Sequence, residues 1–157
     1  MTLYEGPIFH VERREGRDVV VHAPVAAVVA LDRNEQLVLV RQRRVPVDAT
    51  LLELPAGFMN PGESPLAAAR RELAEETGLH GGEWAEISTF FTSAGFTDER
   101  VHLFLATGLD EGEATPDEDE ELELVRVPLA DVAGLSERCE DAKTVIGLLL
   151  LMRQRGL

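Results

Sequence analysis

The feature that most constrains the fold is an unbroken apolar run, Val-Ala-Ala-Val-Val-Ala-Leu, at residues 25–31. As a strand it has no polar side to give to water, so it must be covered on both faces. Asp32-Arg33-Asn34 makes a turn after it, and Leu37-Val38-Leu39-Val40 within 36–42 reads as a second central strand. The β-branched alternation over 8–13 and 18–22, split by Glu15-Gly16, predicts a hairpin. A short strand is expected at 51–54, ended by Pro55, with further strands at 84–91, 100–107 and 121–127. Residues 140–155 are helical by composition, with Val145, Ile146, Leu149 and Met152 expected on the buried side. Strands on both sides of a central helix, with a helix last, indicate a mixed α/β (α+β) sandwich.

That central helix has sharp boundaries. Ser64 supplies a capping hydroxyl, and Pro65 stands where a missing N–H costs nothing. Gly78 follows Thr77 as a stop signal. Leu66, Ala69 and Leu73 recur at i, i+3 and i+7, one apolar stripe. On another face Glu72 and Glu76 stand at i and i+4 with Glu75 beside them. Like charges at this spacing repel, so the arrangement calls for something positive between them. Hard divalent cations take oxygen ligands, and Mg²⁺ typically uses one or two carboxylates plus substrate phosphates. Arg71 lies one turn before Glu75 and can hold that carboxylate in place. Gly57, in a turn that continues through Pro61-Gly62, permits a close backbone approach.

The charge distribution points to the same region. The 157 residues, a length for one domain, carry 15 basic and 29 acidic side chains, a net −14. Residues 1–50 are balanced, whereas 110–123 hold nine acids and no base. This excludes a nucleic-acid backbone binder and a polybasic membrane binder, which need clustered Lys and Arg. It leaves room for a polyanionic substrate brought in with divalent metal. Most of the 110–123 acids read as a solvated loop. One cysteine, Cys139, offers no internal disulfide, and the chain shows neither a signal-peptide pattern nor an apolar run of membrane-spanning length. The expected location is cytoplasmic. His10, His22, His80 and His102 are dispersed without metal-ligand spacing, and Trp84 reads as packing.

Residues 57–79 read Gly57, five residues, Glu63, seven residues, Arg71-Glu72-Leu73, one residue, Glu75-Glu76, one residue, Gly78-Leu79. A Glu-rich helix is ordinarily a solvated face. Nine constrained positions, at roughly 6–7% usage per common residue, override that reading. The segment resembles the Nudix box, signature of the Nudix hydrolases, at every defined position. The resemblance implies an α/β/α sandwich with a mixed sheet, in which the box forms a loop–helix–loop. It also implies metal-dependent hydrolysis of a nucleoside diphosphate linked to another group, with two or three Mg²⁺ or Mn²⁺ ions. Carried over, Glu72 and Glu76 are metal ligands and Glu75 a ligand, near-ligand or catalytic group. Gly57, Glu63 and Arg71 support the loop and helix.

Further segments look like the ADP-ribose pyrophosphatase branch: Val40-Arg41-Gln42-Arg43-Arg44, Leu52-Glu53-Leu54-Pro55-Ala56-Gly57 and Ser93-Ala94-Gly95-Phe96-Thr97-Asp98-Glu99. The resemblance assigns the Ala56 carbonyl to the metal shell, Arg44 to substrate, and Glu99 to the neighbourhood of the site. It gives Glu118 or Glu120 of the acidic loop the attacking water or a further metal. The stretch from Tyr4 to Phe9 resembles an N-terminal strand that crosses to a partner subunit. This implies a homodimer, with 1–22 at its interface and Ile8 or Phe9 as a platform for the base. One departure is Ala94, where the branch marker is a proline. It leaves open other diphosphates, such as FAD, a CDP-alcohol or another nucleotide sugar. A non-catalytic nucleotide sensor is the rival of a different class, although such domains usually lose box carboxylates.

Overall fold

The computed structural model describes residues 1–115 and 121–157. Ten strands and three helices follow one another: β1 (Thr2–Glu5), β2 (Phe9–Arg14), β3 (Arg17–His22), β4 (Val25–Asp32), β5 (Gln36–Arg44), β6 (Ala49–Glu53), β7 (Ala56–Phe58), α1 (Pro65–Thr77), β8 (His80–Phe91), β9 (Arg100–Asp110), β10 (Leu122–Pro128), α2 (Val132–Ser136) and α3 (Ala142–Arg155). Strands β1 to β3 form a separate antiparallel sheet. The main sheet runs β10-β5-β4-β9-β8, with β6 paired to β5 and β7 to β4. Among the described residues only the β4–β9 pair at its centre is parallel, so the sheet is mixed.

Strand β4 is buried along its whole length, as its apolar run requires. Its alternate residues divide the core in two. Ala26, Val28 and Ala30 pack with Ala68, Ala69 and Leu73 of α1 on one face. Val25, Ala27, Val29 and Leu31 pack with Leu148 and Leu151 of α3 and with Val132 and Leu135 of α2 on the other. Two helical layers enclose one sheet, the expected α/β/α sandwich.

Several boundaries differ from the sequence reading. The N-terminal hairpin gains a third strand, β1, because the chain turns at residues 6–8 rather than running straight from Tyr4 to Phe9. Strand β8 begins at His80, ahead of the expected 84, despite Gly81 and Gly82 at positive φ. β7 and α2 were not expected: three residues around a glycine carry no periodicity, and a five-residue helix carries little. In α3 the buried stripe is Thr144, Gly147, Leu148 and Leu151. Val145, Ile146 and Met152 flank it half-buried, and Leu149 is exposed. The stripe turns because Gly147 packs against Leu54 and Val29, where a Cβ would meet Leu54 Cδ1 at 2.6 Å. No helix among the described residues is long and apolar enough to cross a membrane.

Candidate active site

Helix α1 starts and stops as its sequence dictates. The Ser64 hydroxyl accepts from the Ala67 amide at 3.2 Å, and Gly78, at φ 76°, returns its N–H to Ala74. Small side chains on both sides, Ala26 and Ala30 against Ala68 and Ala69, let the helix lie close to the sheet. Strand β7 lies beside it, pairing Ala56 with Ala27 and Gly57 with Ala26.

This brings the box carboxylates onto β7. A Cβ built on Gly57 would stand 2.1 Å from the Glu72 carboxyl, so only glycine leaves room for that side chain. Glu76, 5% exposed, accepts from the Ala56 amide at 3.1 Å. Arg71 joins the rest. Its Nε and Nη2 donate to the two oxygens of Glu63, each at 2.9 Å, and Nη2 also donates to the Phe58 carbonyl at 2.8 Å. Its Nη1 donates to Glu72 at 2.6 Å and to Glu75 at 3.1 Å. One guanidinium thus ties the loop carboxylate to two helix carboxylates and the end of β7. The bonds from Arg71, with the Asn60 amide second, hold the Glu63 carboxyl down at about 2. The same bonds to Glu63 raise Arg71 further above its ordinary value.

Arg44, at the end of β5, turns inward onto Glu53 of β6. Its Nε and Nη2 donate to the two Glu53 oxygens at 2.7 and 2.8 Å. Arg41 and Arg43, on the opposite side of the strand, pair instead with Glu123 and Asp48. Glu53 is 1% exposed. Burial would push its carboxyl up, but Arg44 and Lys143 outweigh that and bring it to about 2. Arg44, raised by the same pairing, also feels the charge of Glu76, so it belongs to the electrostatic neighbourhood of the box.

The remaining expected residues lie farther out. Glu99 accepts from the Thr92 hydroxyl at 2.6 Å and stands 3.4 Å from His22 Nδ1. The His22 ring meets Phe58 edge-on at 5.0 Å, which links Glu99 to the box only through two intermediates. Ile8 and Phe9 are exposed on the N-terminal sheet, Phe9 beside Tyr4. Trp84 packs against Phe104 with Arg70 over its ring. Glu118 and Glu120 lie outside the described residues, but the acidic loop starts at the box helix: the Thr115 amide donates to the Glu75 carbonyl at 2.9 Å.

The donors suit a hard divalent ion. The carboxylates of Glu72, Glu75 and Glu76 offer only oxygen donors, the type such an ion takes, and the glycine cradle holds one of them against the strand. Among the described residues no group of three or more His, Cys, Asp or Glu side chains closes into a metal cage.

The sequence reading overlooked the part played by Glu53 and, at the start of α3, by Asp141, Lys143 and Thr144, which together buttress Arg44 and the end of β6. The available signal was a carboxylate set between two leucines just before Pro55, which on burial demands cations nearby.

Comparison with known proteins shows the family and agrees with the fold. The model of the NUDIX domain matches residues 21–146, and the chain belongs to that family. It is 40% identical over 145 residues to an ADP-ribose pyrophosphatase of Bacillus subtilis (strain 168), covering 90% of this chain and 78% of the relative. A methanol dehydrogenase activator of Bacillus methanolicus is 38% identical over the same shares of the two chains. Among solved structures, an ADP compounds hydrolase superposes with a TM-score of 0.81 at 25% identity, covering 99% of this chain and 92% of the other.

Proposed function

We propose that this chain is a Nudix hydrolase that cleaves the diphosphate bond of a nucleoside diphosphate sugar, ADP-ribose foremost, giving AMP and ribose 5-phosphate. The observation that carries the reading is the seating of Glu72 and Glu76 on Gly57 and Ala56, in a chain 40% identical to an ADP-ribose pyrophosphatase. Two or three Mg²⁺ or Mn²⁺ ions, when bound, neutralise the diphosphate and acidify a water. Glu72, Glu76 and the Ala56 carbonyl would hold them, with Glu75 as a further oxygen donor at the rim, its side chain 42% exposed. Arg71 and Glu63 keep those carboxylates oriented. Arg44 spends one edge of its fork on Glu53 and keeps Nη1 for a phosphate oxygen. Glu118 or Glu120 takes the proton of the attacking water. Water adds to one phosphorus as the bridging P–O bond breaks, and the departing phosphate leaves with its sugar. Glu99 acts at a distance, ordering the end of the loop at 93–99 through Thr92 and His22.

We further infer a cytoplasmic homodimer in which residues 1–157 act as one domain. Ile8, 58% exposed, and Phe9, 40% exposed, present the apolar surface for a partner and for the base of its substrate. Nucleic acid and membrane stay outside its range of partners, given a net charge of −14. The test is a panel of nucleoside diphosphate derivatives with Mg²⁺ and Mn²⁺, products identified. ADP-ribose cleaved to AMP and ribose 5-phosphate supports the reading, and no cleavage of any diphosphate under either metal overturns it. Preference for FAD or a CDP-alcohol instead assigns the enzyme to the second reading, which Ala94 leaves open. That residue lines a cavity of about 400 Å³ with Arg14, Arg17, Phe91 and Phe96.

A further inference from the structure

The first turn of α3 grips the end of β6 in three ways. Lys143 Nζ donates to Glu53 Oε2 at 2.6 Å and to Asp141 Oδ1 at 2.9 Å. The Thr144 hydroxyl accepts from the Leu54 amide at 2.9 Å and donates to Asp141 Oδ2 at 2.6 Å. Gly147, one turn on, lies against Leu54 itself. Asp141 also caps the helix through the Thr144 amide, so the acceptor that steadies Lys143 is fixed by the helix start.

These contacts exceed what holding a helix on a sheet requires. Leu148 and Leu151 already supply that, fully buried against β4. The polar set surrounds one buried carboxylate, Glu53, and the other face of that carboxylate is taken up wholly by Arg44. A guanidinium held at both Nε and Nη2 keeps a single orientation, whereas an arginine 39% exposed would otherwise sample many. An arginine alone against Glu53 could slide along it. A second cation on Oε2, itself braced by Asp141, fixes where that carboxylate sits.

We propose that Lys143 is a positioning residue for substrate binding, acting through Glu53 to aim Arg44 at the diphosphate. The inference rests on the proposed hydrolase activity and assigns to α3, distant in sequence from the box, a part in substrate capture. Arg44 spends little of its binding energy on ordering when Glu53 is already held, the general advantage of preorganisation.

The experiment is a double-mutant cycle on Arg44→Ala and Lys143→Met. It reads kcat and KM for the diphosphate cleaved in the substrate panel, and the Kd of an ADP-ribose with a methylene bridge in place of the bridging oxygen. Lys143→Met alone is expected to raise KM and Kd by about tenfold with kcat within about twofold. In the Arg44→Ala background the same change should add nothing to either constant, because the residue it positions is gone. Lys143→Arg, which retains the cation, should recover most of the loss. If Lys143→Met does not fold, Lys143→Gln, a neutral donor toward Glu53, carries the same cycle. Fully additive effects, or a fall in kcat with KM and Kd unchanged, overturn the inference. A wild-type protein that cleaves no diphosphate strikes the hydrolase reading instead, so the two failures are separate.

Discussion

Gly57 lies directly beneath the Glu72 carboxyl, close enough that a single added carbon would stand 2.1 Å from it. Both backbone and side chain are fixed there, the glycine by its pairing to Ala26 and the glutamate by Arg71. Gly57→Ala should therefore push Glu72 off the strand while leaving the fold intact. The group displaced is the far end of a flexible side chain, so the expected result is a small change in stability and a kcat lower by roughly 100-fold from the misplaced carboxylate. Kinetics at saturating substrate over a Mg²⁺ titration would test this. Unchanged kcat and metal dependence would show that Glu72 needs no such seat.

Glu76 gives a cleaner separation of charge from shape. Its Oε2 accepts from the Ala56 amide, and a glutamine can still accept that bond while losing the negative charge. Glu76→Gln should fold with a melting temperature close to wild type and lose kcat by about 10²–10³. Circular dichroism and initial rates check both halves, and an active Glu76→Gln enzyme removes Glu76 from the metal shell.

Acid sensitivity follows from Glu53. Its carboxyl is lowered from 4.5 to about 2, so the folded state binds the proton more weakly than the unfolded chain does. The stability this supplies is present above the unfolded value and is lost as pH falls through about 4.5 toward 2, an effect of about 3 kcal/mol. Glu63, lowered to about 2 by Arg71, titrates in the same window. Urea denaturation between about pH 6 and pH 3 should show falling stability for the wild type and a shallower fall for Glu53→Gln, with Glu63 still contributing. Identical slopes for the two proteins would mean that Glu53 titrates normally.

The assembly prediction concerns Ile8. Its side chain is 58% exposed in the turn between β1 and β2, away from both core layers. Ile8→Asp should leave stability at low concentration almost unchanged, as a surface substitution does, and convert a dimer to a monomer in light scattering. A wild type that is monomeric at micromolar concentration sinks the dimer.

What the sequence disclosed and what it hid have a common cause. The run at 25–31 announced a strand covered on both faces because no polar residue interrupts it, and Ser64-Pro65 with Gly78 announced the helix because caps are local chemistry. The resemblance of 57–79 to the box suggested roles for Glu72 and Glu76, and spacing alone put them on one face. Long-range partners stayed invisible. Glu53 and Lys143 are 90 residues apart, and no local pattern reports that they meet. The buried stripe of α3 was misjudged for a similar reason: Thr144 and Gly147 look poorly suited to a core, yet one bonds Leu54 and the other lets it approach. The seat of Glu118 and Glu120 falls outside the described residues.

The small residues between α1 and β4 carry a consequence for how mutations in this protein should be read. Ala26 and Ala30 facing Ala68 and Ala69 set the thickness of that layer, and the carboxylates ride on it. A larger side chain there could leave a folded, soluble protein with the helix moved outward, its glutamates lifted from β7. Turnover would then serve as a gauge of core thickness, reporting displacements too small for a melting curve to register.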